Sequence, residues 1–467
     1  MVSASVLARV QGRKLATFGT GLLGPASQVR HPEMTGSKSA FASSVRNTLI
    51  AVACVAATVS PSWAEDDPLA QVLQRNNAEW ADGFDTASVG AADVRTTIPT
   101  LSPDIVGPLQ SAIARYSDIV SRGGWPTVPA EKRLKIGMRD PAVVILRERL
   151  AISGDLPPEA SNAAGSDAFD SYVDAAIKRF QARHGIQADG VVGASTFAAL
   201  NIPAHLRLTQ LSNNLTRLKG FLTRKQPDRF VIVNIPAASV EAVENGSVVS
   251  RHTAVVGKVD RPSPIVNSKI TEINFHPYWT VPASIIRKDL IPLMQKDPTY
   301  LATWKIRIFD KNGQEVAPEQ IDWKTDQATK GYMFKQDPGD ENSLGTVKIN
   351  FPSPEGVYMH DTPHKETFFQ EVRFDSSGCV RIQNIRELIP WILRDTPGQS
   401  PAEIDEEFRS GIRKDVKVTN PVALHWVYIT AWSTTDGIVN FRNDIYNLDG
   451  LEQYATEDVA LPPTTPL

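Results

Sequence analysis

Cys379 and His360 are the two side chains of this sequence best suited to covalent chemistry. They stand nineteen residues apart in VYMHDTPHKETFFQEVRFDSSGCVRIQN (Val357–Asn384). A cysteine attacks as its thiolate, and a pKa of about 8.5 leaves only a few per cent ionised at neutral pH. An imidazole with a pKa near 6.5 can take that proton and return it to a leaving amine. Cys379 follows Ser376-Ser377-Gly378, small residues that let backbone approach a substrate carbonyl. The amides of Gly378 and Cys379 are then candidate donors to a tetrahedral oxyanion. If the segment is extended, Arg381 shares a face with Cys379, where it can favour the thiolate or hold a carboxylate. The competing reading is plain: Cys379 as a small buried hydrophobe and His360 as a hydrogen-bonded core histidine.

The elements that must position this pair are strands. After Gln226-Pro227-Asp228, short β-branched runs (Phe230–Ile235, His252–Val256, Ile270–Phe275) alternate with turn signals, and Asn245-Gly246 predicts a two-residue hairpin. Residues 283–335 interrupt this pattern with helix-like and polar segments and read as a cap. Strands resume at Thr346–Phe351 and Val357–His360, and again at Ala423–Trp432 and Gly437–Phe441. Asn384-Ile385-Arg386-Glu387 has the spacing of a helix cap with a reciprocal acid, and Pro390 lies inside the helix it predicts.

Upstream the texture is helical. Leu69, Val72 and Leu73 share one helical face, and Leu109, Ile113, Tyr116 and Val120 recur at helical spacing before Gly123-Gly124-Trp125-Pro126. Residues 135–203 predict three helices: Pro141–Ile152, one from Asp170 carrying Val173, Ile177 and Phe180, and one with Thr196, Phe197 and Leu200. Residues 204–226 return to a helix with Leu208, Leu211, Leu215 and Leu218. His184, His252 and His276 have no paired ligands nearby and read as packing residues.

The apolar run Thr48–Val59 suits an export signal and falls short of the roughly 20 residues that span a bilayer. Lys38 and Arg46 precede it, and Ser62-Trp63-Ala64 offers a cleavage site. Translation starting at Met34 would give a leader of ordinary size. Cys54 admits a second reading as a lipid-attachment site, but the apolar run continues past it. The two cysteines of the sequence are then divided by processing, and Cys379 has no intramolecular disulfide partner. Beyond residue 64 the chain holds 43 basic and 51 acidic residues, a charge of −8, with no basic block for nucleic acid or an anionic membrane.

Two resemblances sharpen this reading. FQARHGIQADGVVGASTFAAL (Phe180–Leu200) resembles the type 1 peptidoglycan-binding domain, which implies an anchor to cell-wall glycopeptide. The Val357–Asn384 string resembles the catalytic motif of L,D-transpeptidases of the YkuD type: a histidine, a gap, then Ser/Thr-His-Gly-Cys and usually Arg. Here Ser377 replaces the second histidine of that motif, which leaves His360 as its base. GGWP (Gly123–Pro126), NFHPYWTVPASI (Asn274–Ile285), QDPGDENSLGTVKINFPSP (Gln336–Pro354) and YMHDTP (Tyr358–Pro363) are similar to the large YcbB-like branch.

The resemblance implies a multidomain α and β chain with a mainly-β catalytic domain, an inserted cap and a helical scaffold carrying a three-helix peptidoglycan-binding domain. Its expected boundaries are 1–64 signal peptide, 65–134 helical scaffold, 135–203 peptidoglycan-binding domain, 204–228 scaffold helix, 229–450 catalytic domain with a cap at about 283–335, and 451–467 tail. It implies a periplasmic enzyme in which Cys379 attacks the bond between diaminopimelate and D-alanine in a tetrapeptide stem. The resulting thioester passes to a second stem, giving 3→3 cross-links, and carbapenems are expected to acylate Cys379. His360 would be the general acid/base and Gly378 part of the oxyanion hole. Arg381, Tyr358 and Ser377 would contact substrate, while Asp361, a strand neighbour of His360, points the other way. No metal or cofactor is implied, and the partners are peptidoglycan peptides and glycan.

Other readings remain open from sequence: an L,D-carboxypeptidase with water as acceptor, an enzyme attaching protein to murein, or a wall-binding protein without catalysis. A zinc site at His360 and His364 meets a geometric objection, since four strand residues span about 13 Å. The export reading predicts a mature chain beginning at Glu65, and N-terminal sequencing of the exported protein reads that position directly.

Overall fold

The computed structural model describes residues 96–158 and 165–450. The expected signal segment, Cys54, the apolar face around Leu69 and the C-terminal tail lie outside the described residues. Helix α1 (Val106–Ser121) ends at Gly123 and Gly124, both at positive φ. Its buried seam is Leu109, Ala112, Tyr116 and Ile119, one step round from the face that the sequence indicated. Ile113 and Val120 are only half-buried, because α1 turns Tyr116 toward Trp125 and Phe441.

Helices α2 (Pro141–Ser153), α3 (Ser171–Arg183) and α4 (Ala194–Leu200) then form a unit around Val143, Leu146, Leu150, Val173, Ile177, Phe180 and Leu200. Side-chain oxygens of Asp140 and Asp170 cap the first two helices, and Pro141 stands where its missing N–H costs nothing. His184 is a packing residue: its ring stacks 3.9 Å from Phe180, and its Nδ1 lies 2.7 Å from the Phe180 carbonyl oxygen. Helix α5 (Ala204–Leu222) lays Leu211 and Leu218 into a core shared with α1 and with the outer face of the first strand.

The main sheet contains β1 (Arg229–Asn234), β2 (Ser239–Glu244), β3 (Ser247–Gly257) and β4 (Val266–Phe275). Asn245 and Gly246 both take positive φ, the turn expected between β2 and β3. The cap follows, with β5 (Trp279–Thr280), a helical run over 283–296, β6 (Ile306–Phe309), β7 (Glu315–Val316) and β8 (Met333–Gln336). Its four strands pair in the order β5-β8-β6-β7 around a core that includes Ile286, Leu290, Leu301, Ile308 and Phe334. The main sheet resumes with β9 (Val347–Asn350), β10 (Met359–His360), β11 (Phe374–Ser376) and β12 (Val380–Ile382). Helices α6 (Ile385–Leu393) and α7 (Pro401–Ser410) precede β13 (Lys414–Val427), and β14 (Ala431–Ser433) pairs with β15 (Val439–Phe441) as a separate hairpin.

The strand order is β11-β3-β12-β10-β9-β4-β13-β1-β2, and β2 pairs again with β3, so the sheet closes on itself. One face buries Val231, Ile273, Ile349, Met359, Val380, Val416 and Leu424 beneath α6 and α7. Alternation puts the neighbours of Ile349, Met359 and Val380 on the opposite face. Asn384 does not cap α6 as its spacing suggested. It sits in the left-handed region at φ 51° and makes no side-chain capping bond, because the chain turns sharply there to bring Ile385 under the sheet. Ser400 and Glu403, by contrast, form a complete capping box at α7.

The helical unit is fixed to the rest through Arg183, a buried arginine neutralised from within the unit. Arg183 reaches Asp155 through Nε (2.6 Å) and Nη2 (2.5 Å), while its Nη1 donates to the Val439 carbonyl (3.2 Å). Both partners are below 10% exposed. Removing one member of such a pair leaves an uncompensated buried charge. Asp155→Ala should therefore destabilise the chain by about 3–5 kcal/mol, read as a shift in urea unfolding.

Candidate active site

The site is built by a very short parallel ladder. Strand β10 pairs with β12 in the register Met359↔Val380 and His360↔Arg381, and the Val380 amide donates to the Tyr358 carbonyl at 3.1 Å. Met359 and Val380 both enter the core, so Tyr358, His360, Cys379 and Arg381 share the other face. Cys379 and His360 are diagonal neighbours across adjacent strands, with β-carbons about 7 Å apart, within reach of an imidazole. The ladder therefore brings together the four residues singled out on Tyr358–Arg381.

The same face continues across the sheet in two rungs. One carries Arg381, His360, Lys348, Asn274 and Asp415; the other runs from Cys379 through Tyr358 and Asn350 to Glu272 and Lys417. Asn274 donates to Glu272 and Asp415, each at 2.8 Å, which holds those carboxylates together at the far end. Lys348, Asn350 and Trp279 were given no role from sequence. The signal for the first two was present in Val347-Lys348-Ile349-Asn350, whose strict alternation exposes two polar residues on one face.

His360 is buried, and its Nδ1 stands 2.5 Å from the Asp361 carbonyl oxygen. A carbonyl can only accept, so Nδ1 carries the hydrogen and the lone pair is on Nε2. Burial pushes the imidazole pKa down to about 3, with Arg381 and Lys348 adding to the shift against the Asp361 contacts. Asp361 thus orients the ring through its backbone. Its carboxylate turns to the Thr346 amide (3.1 Å), the Thr346 hydroxyl (2.9 Å) and Lys365.

The Tyr358 amide and hydroxyl are both placed to donate to the Cys379 sulfur. Burial raises the thiol pKa, while these donors, Lys348 and Arg381 oppose that rise. Tyr358 is held in turn by Trp279, whose Nε1 donates to the hydroxyl at 3.1 Å, and by the Lys348 ammonium 4.1 Å from the ring centroid.

The nucleophile loop is self-braced. The Gly378 amide donates to Ser376 Oγ at 3.1 Å, and that hydroxyl donates to the Cys379 carbonyl at 2.5 Å. Of the two expected oxyanion donors, Gly378 is therefore engaged within its own loop, and the Cys379 amide makes no bond among the described residues. Gly378 takes φ 108°, and a Cβ there would stand 3.3 Å from the Pro262 carbonyl oxygen, which accounts for glycine at this position. Ser377 is exposed and accepts from Arg261 Nη1 at 2.9 Å. The same guanidinium grips Asp289 of the cap at 2.5 and 3.0 Å, so cap and nucleophile loop are tied through one side chain. His364 pairs with Glu366 at 3.4 Å and lies 6.4 Å from the Trp304 ring. His252 and His276 bind backbone carbonyls of Gln383 and Glu407.

A half-buried thiol beside a neutral imidazole, with an amide at the sulfur's own residue, is the equipment of cysteine acyl transfer. Comparison with known proteins narrows that class. Residues 228–404 match the YkuD family, "L,D-transpeptidase catalytic domain", and residues 139–200 match "Putative peptidoglycan binding domain". The chain is 33% identical over 224 residues to a "Putative L,D-transpeptidase" of Haemophilus influenzae, covering 47% of this chain and 44% of the relative's length. Among solved structures, an L,D-transpeptidase from Stackebrandtia nassauensis aligns with 65% of this chain and 96% of its own, at 15% identity and TM-score 0.24. One from Mycobacterium smegmatis aligns with 42% and 58%, at 16% identity and TM-score 0.21. The chain thus carries the β-rich catalytic domain of the L,D-transpeptidases behind a helical region that contains a peptidoglycan binding domain.

The low imidazole pKa has a thermodynamic signature. In the unfolded chain His360 binds a proton below about pH 6.5, whereas the folded imidazole resists protonation down to about 3, so acid favours unfolding through that window. His360→Gln removes this term. Its unfolding free energy should gain on wild type by about 1 kcal/mol per unit as pH falls from about 6 to 4, measured by denaturant titration at each pH.

Proposed function

We propose that this chain is a periplasmic L,D-transpeptidase that remodels peptidoglycan by forming 3→3 cross-links. The observation that carries the reading is the β10–β12 register, which sets Cys379 and the Nε2 lone pair of His360 on one face of the sheet. The donor is a tetrapeptide stem. Its carbonyl between diaminopimelate and D-alanine is attacked by Cys379, and the S–H proton passes through Nε2 to the departing D-alanine nitrogen. The Cys379 amide stabilises the oxyanion, and Gly378 joins it only on leaving Ser376. The side-chain amine of a second stem then resolves the thioester. Arg381 and Tyr358 line the donor site. Ser377, at the foot of the cap, contacts whatever passes beneath it.

The peptidoglycan binding domain match supports murein as the substrate. Among the described residues no helix is long and apolar enough to cross a membrane. The cap, joined to the nucleophile loop by Arg261, sheds water from the thioester and so favours an amine over hydrolysis. The same thioester chemistry makes Cys379 the point at which a carbapenem would acylate the chain.

Incubating the full chain with tetrapeptide-bearing sacculi should yield 3→3 dimers by mass spectrometry of released muropeptides. Cys379→Ala should yield none, and His360→Ala should acylate about 10²–10⁴-fold more slowly. Tripeptide monomers without dimers would instead identify water as the acceptor, and wild-type turnover in either variant would remove the assignment.

A further inference from the structure

The rung that carries the imidazole is unusually rich in positive charge. His360 is flanked in register by Arg381 on β12 and by Lys348 on β9. Neither cation makes an ion pair among the described residues, although Lys348 is half-buried. The nearby acids are engaged elsewhere. Glu272 and Asp415 are bound by Asn274, Asp415 also pairs with Arg413, and the Asp361 carboxylate faces Thr346 and Lys365. An imidazolium at His360 would be a third positive charge in a row, held in a buried setting with a carbonyl as its bonded partner. Meanwhile the Lys348 ammonium sits 4.1 Å over the ring of Tyr358, the residue whose hydroxyl is directed at the Cys379 sulfur.

We infer that Lys348 is the counter-charge of the Cys379 thiolate, acting across the face of Tyr358, so that His360 serves as a neutral imidazole and not as the thiolate's ion-pair partner. This deepens the reading of the chain as a cysteine acyltransferase and rests on it. As the S–H proton passes to Nε2, the anion left on sulfur faces Lys348, Arg381 and the two Tyr358 donors. During acylation the new S–C bond forms as the C–N bond breaks. The proton then crosses Nε2 to the amine without being stored there, because the flanking cations make the imidazolium short-lived. Lys348 touches neither leaving group nor proton, and is a positioning residue for charge. Burial opposes a charged Lys348, while Cys379, Glu272 and Asp415 favour it, in keeping with a cation whose anion is the sulfur.

The test is the pH profile of alkylation by iodoacetamide, a neutral reagent that reads the thiolate without murein. In the full chain, Lys348→Met and Lys348→Gln should raise the apparent thiol pKa by about one unit, slowing alkylation near pH 7 about tenfold. Lys348→Arg should hold the wild-type profile to within a few tenths of a unit, and so should His360→Gln. Two substitutions of different polarity guard against one that fails to fold, which thermal melting identifies. An unchanged profile in both neutral variants overturns the inference. So does a shift in His360→Gln as large as that in Lys348→Met, which would return the counter-charge to the imidazolium. Since alkylation needs no stem peptide, a shifted profile in a chain that forms no cross-links would reject the proposed reaction alone.

Discussion

Two residues of parallel pairing decide whether this protein has an active site. The β10–β12 ladder is only Met359↔Val380 and His360↔Arg381, yet it fixes the face on which the four candidate side chains emerge. A slip of one residue would send Tyr358, His360, Cys379 and Arg381 into the core and bring Met359 and Val380 to the surface. So short a ladder cannot hold its own register. The buried methyls do so instead, since Met359, Val380 and Ile382 pack with Ile349, Ile273 and the underside of α6. Exposing that apolar set while burying a guanidinium and an imidazole would cost several kcal/mol. The chemistry is thus aimed by hydrophobic packing on the side of the sheet that substrate never meets.

On the reactive side the governing quantity is charge in a partly desolvated space. A thiol, a phenol and an imidazole are all driven toward their neutral forms by burial. Among the described residues no carboxylate is hydrogen-bonded to the imidazole. What orients the ring is a peptide carbonyl, which fixes the tautomer while adding no formal charge. That choice keeps Nε2 available as an acceptor at any pH where the fold persists. It leaves Arg381 and Lys348 of the neighbouring strands as the formal charges that flank the imidazole in register.

Much of this was legible in the sequence, and what was not has identifiable causes. Cys379, His360 and Arg381 could be found because their spacing declares extended strands and because a lone thiol beside an imidazole is chemically distinctive. The hairpin at Asn245-Gly246 follows local rules that tertiary structure leaves intact. Lys348 and Trp279 escaped notice because their importance is non-local. Each becomes part of the site only through a strand partner or cap element distant in the chain. Asn384 misled for a related reason, since the spacing of a capping box does not reveal the left-handed turn that the sheet-to-helix passage requires. The seam of α1 was displaced by one aromatic, Tyr116, whose partners Trp125 and Phe441 lie on opposite sides of the catalytic domain in sequence.

The cap and the peptidoglycan binding domain are attached by opposite means, and the difference is informative. The helical unit is joined through Arg183, which Asp155 neutralises from within the unit and which donates to the Val439 carbonyl, and through Arg149 stacked 3.7 Å from the centroid of the Trp125 ring. Such contacts are all-or-none, because opening them strands a charge in a dry interior. The cap's tie is Arg261, which holds Asp289 on one side and the Ser377 hydroxyl on the other. The Arg261–Asp289 pair is largely buried, whereas Ser377 is exposed, so it is the bond to the nucleophile loop that water can replace at little cost. The helical unit is held in one position against the catalytic domain. The cap's hold on the nucleophile loop, by contrast, ends on an exposed hydroxyl. The strength of each joint follows from how much water can reach it.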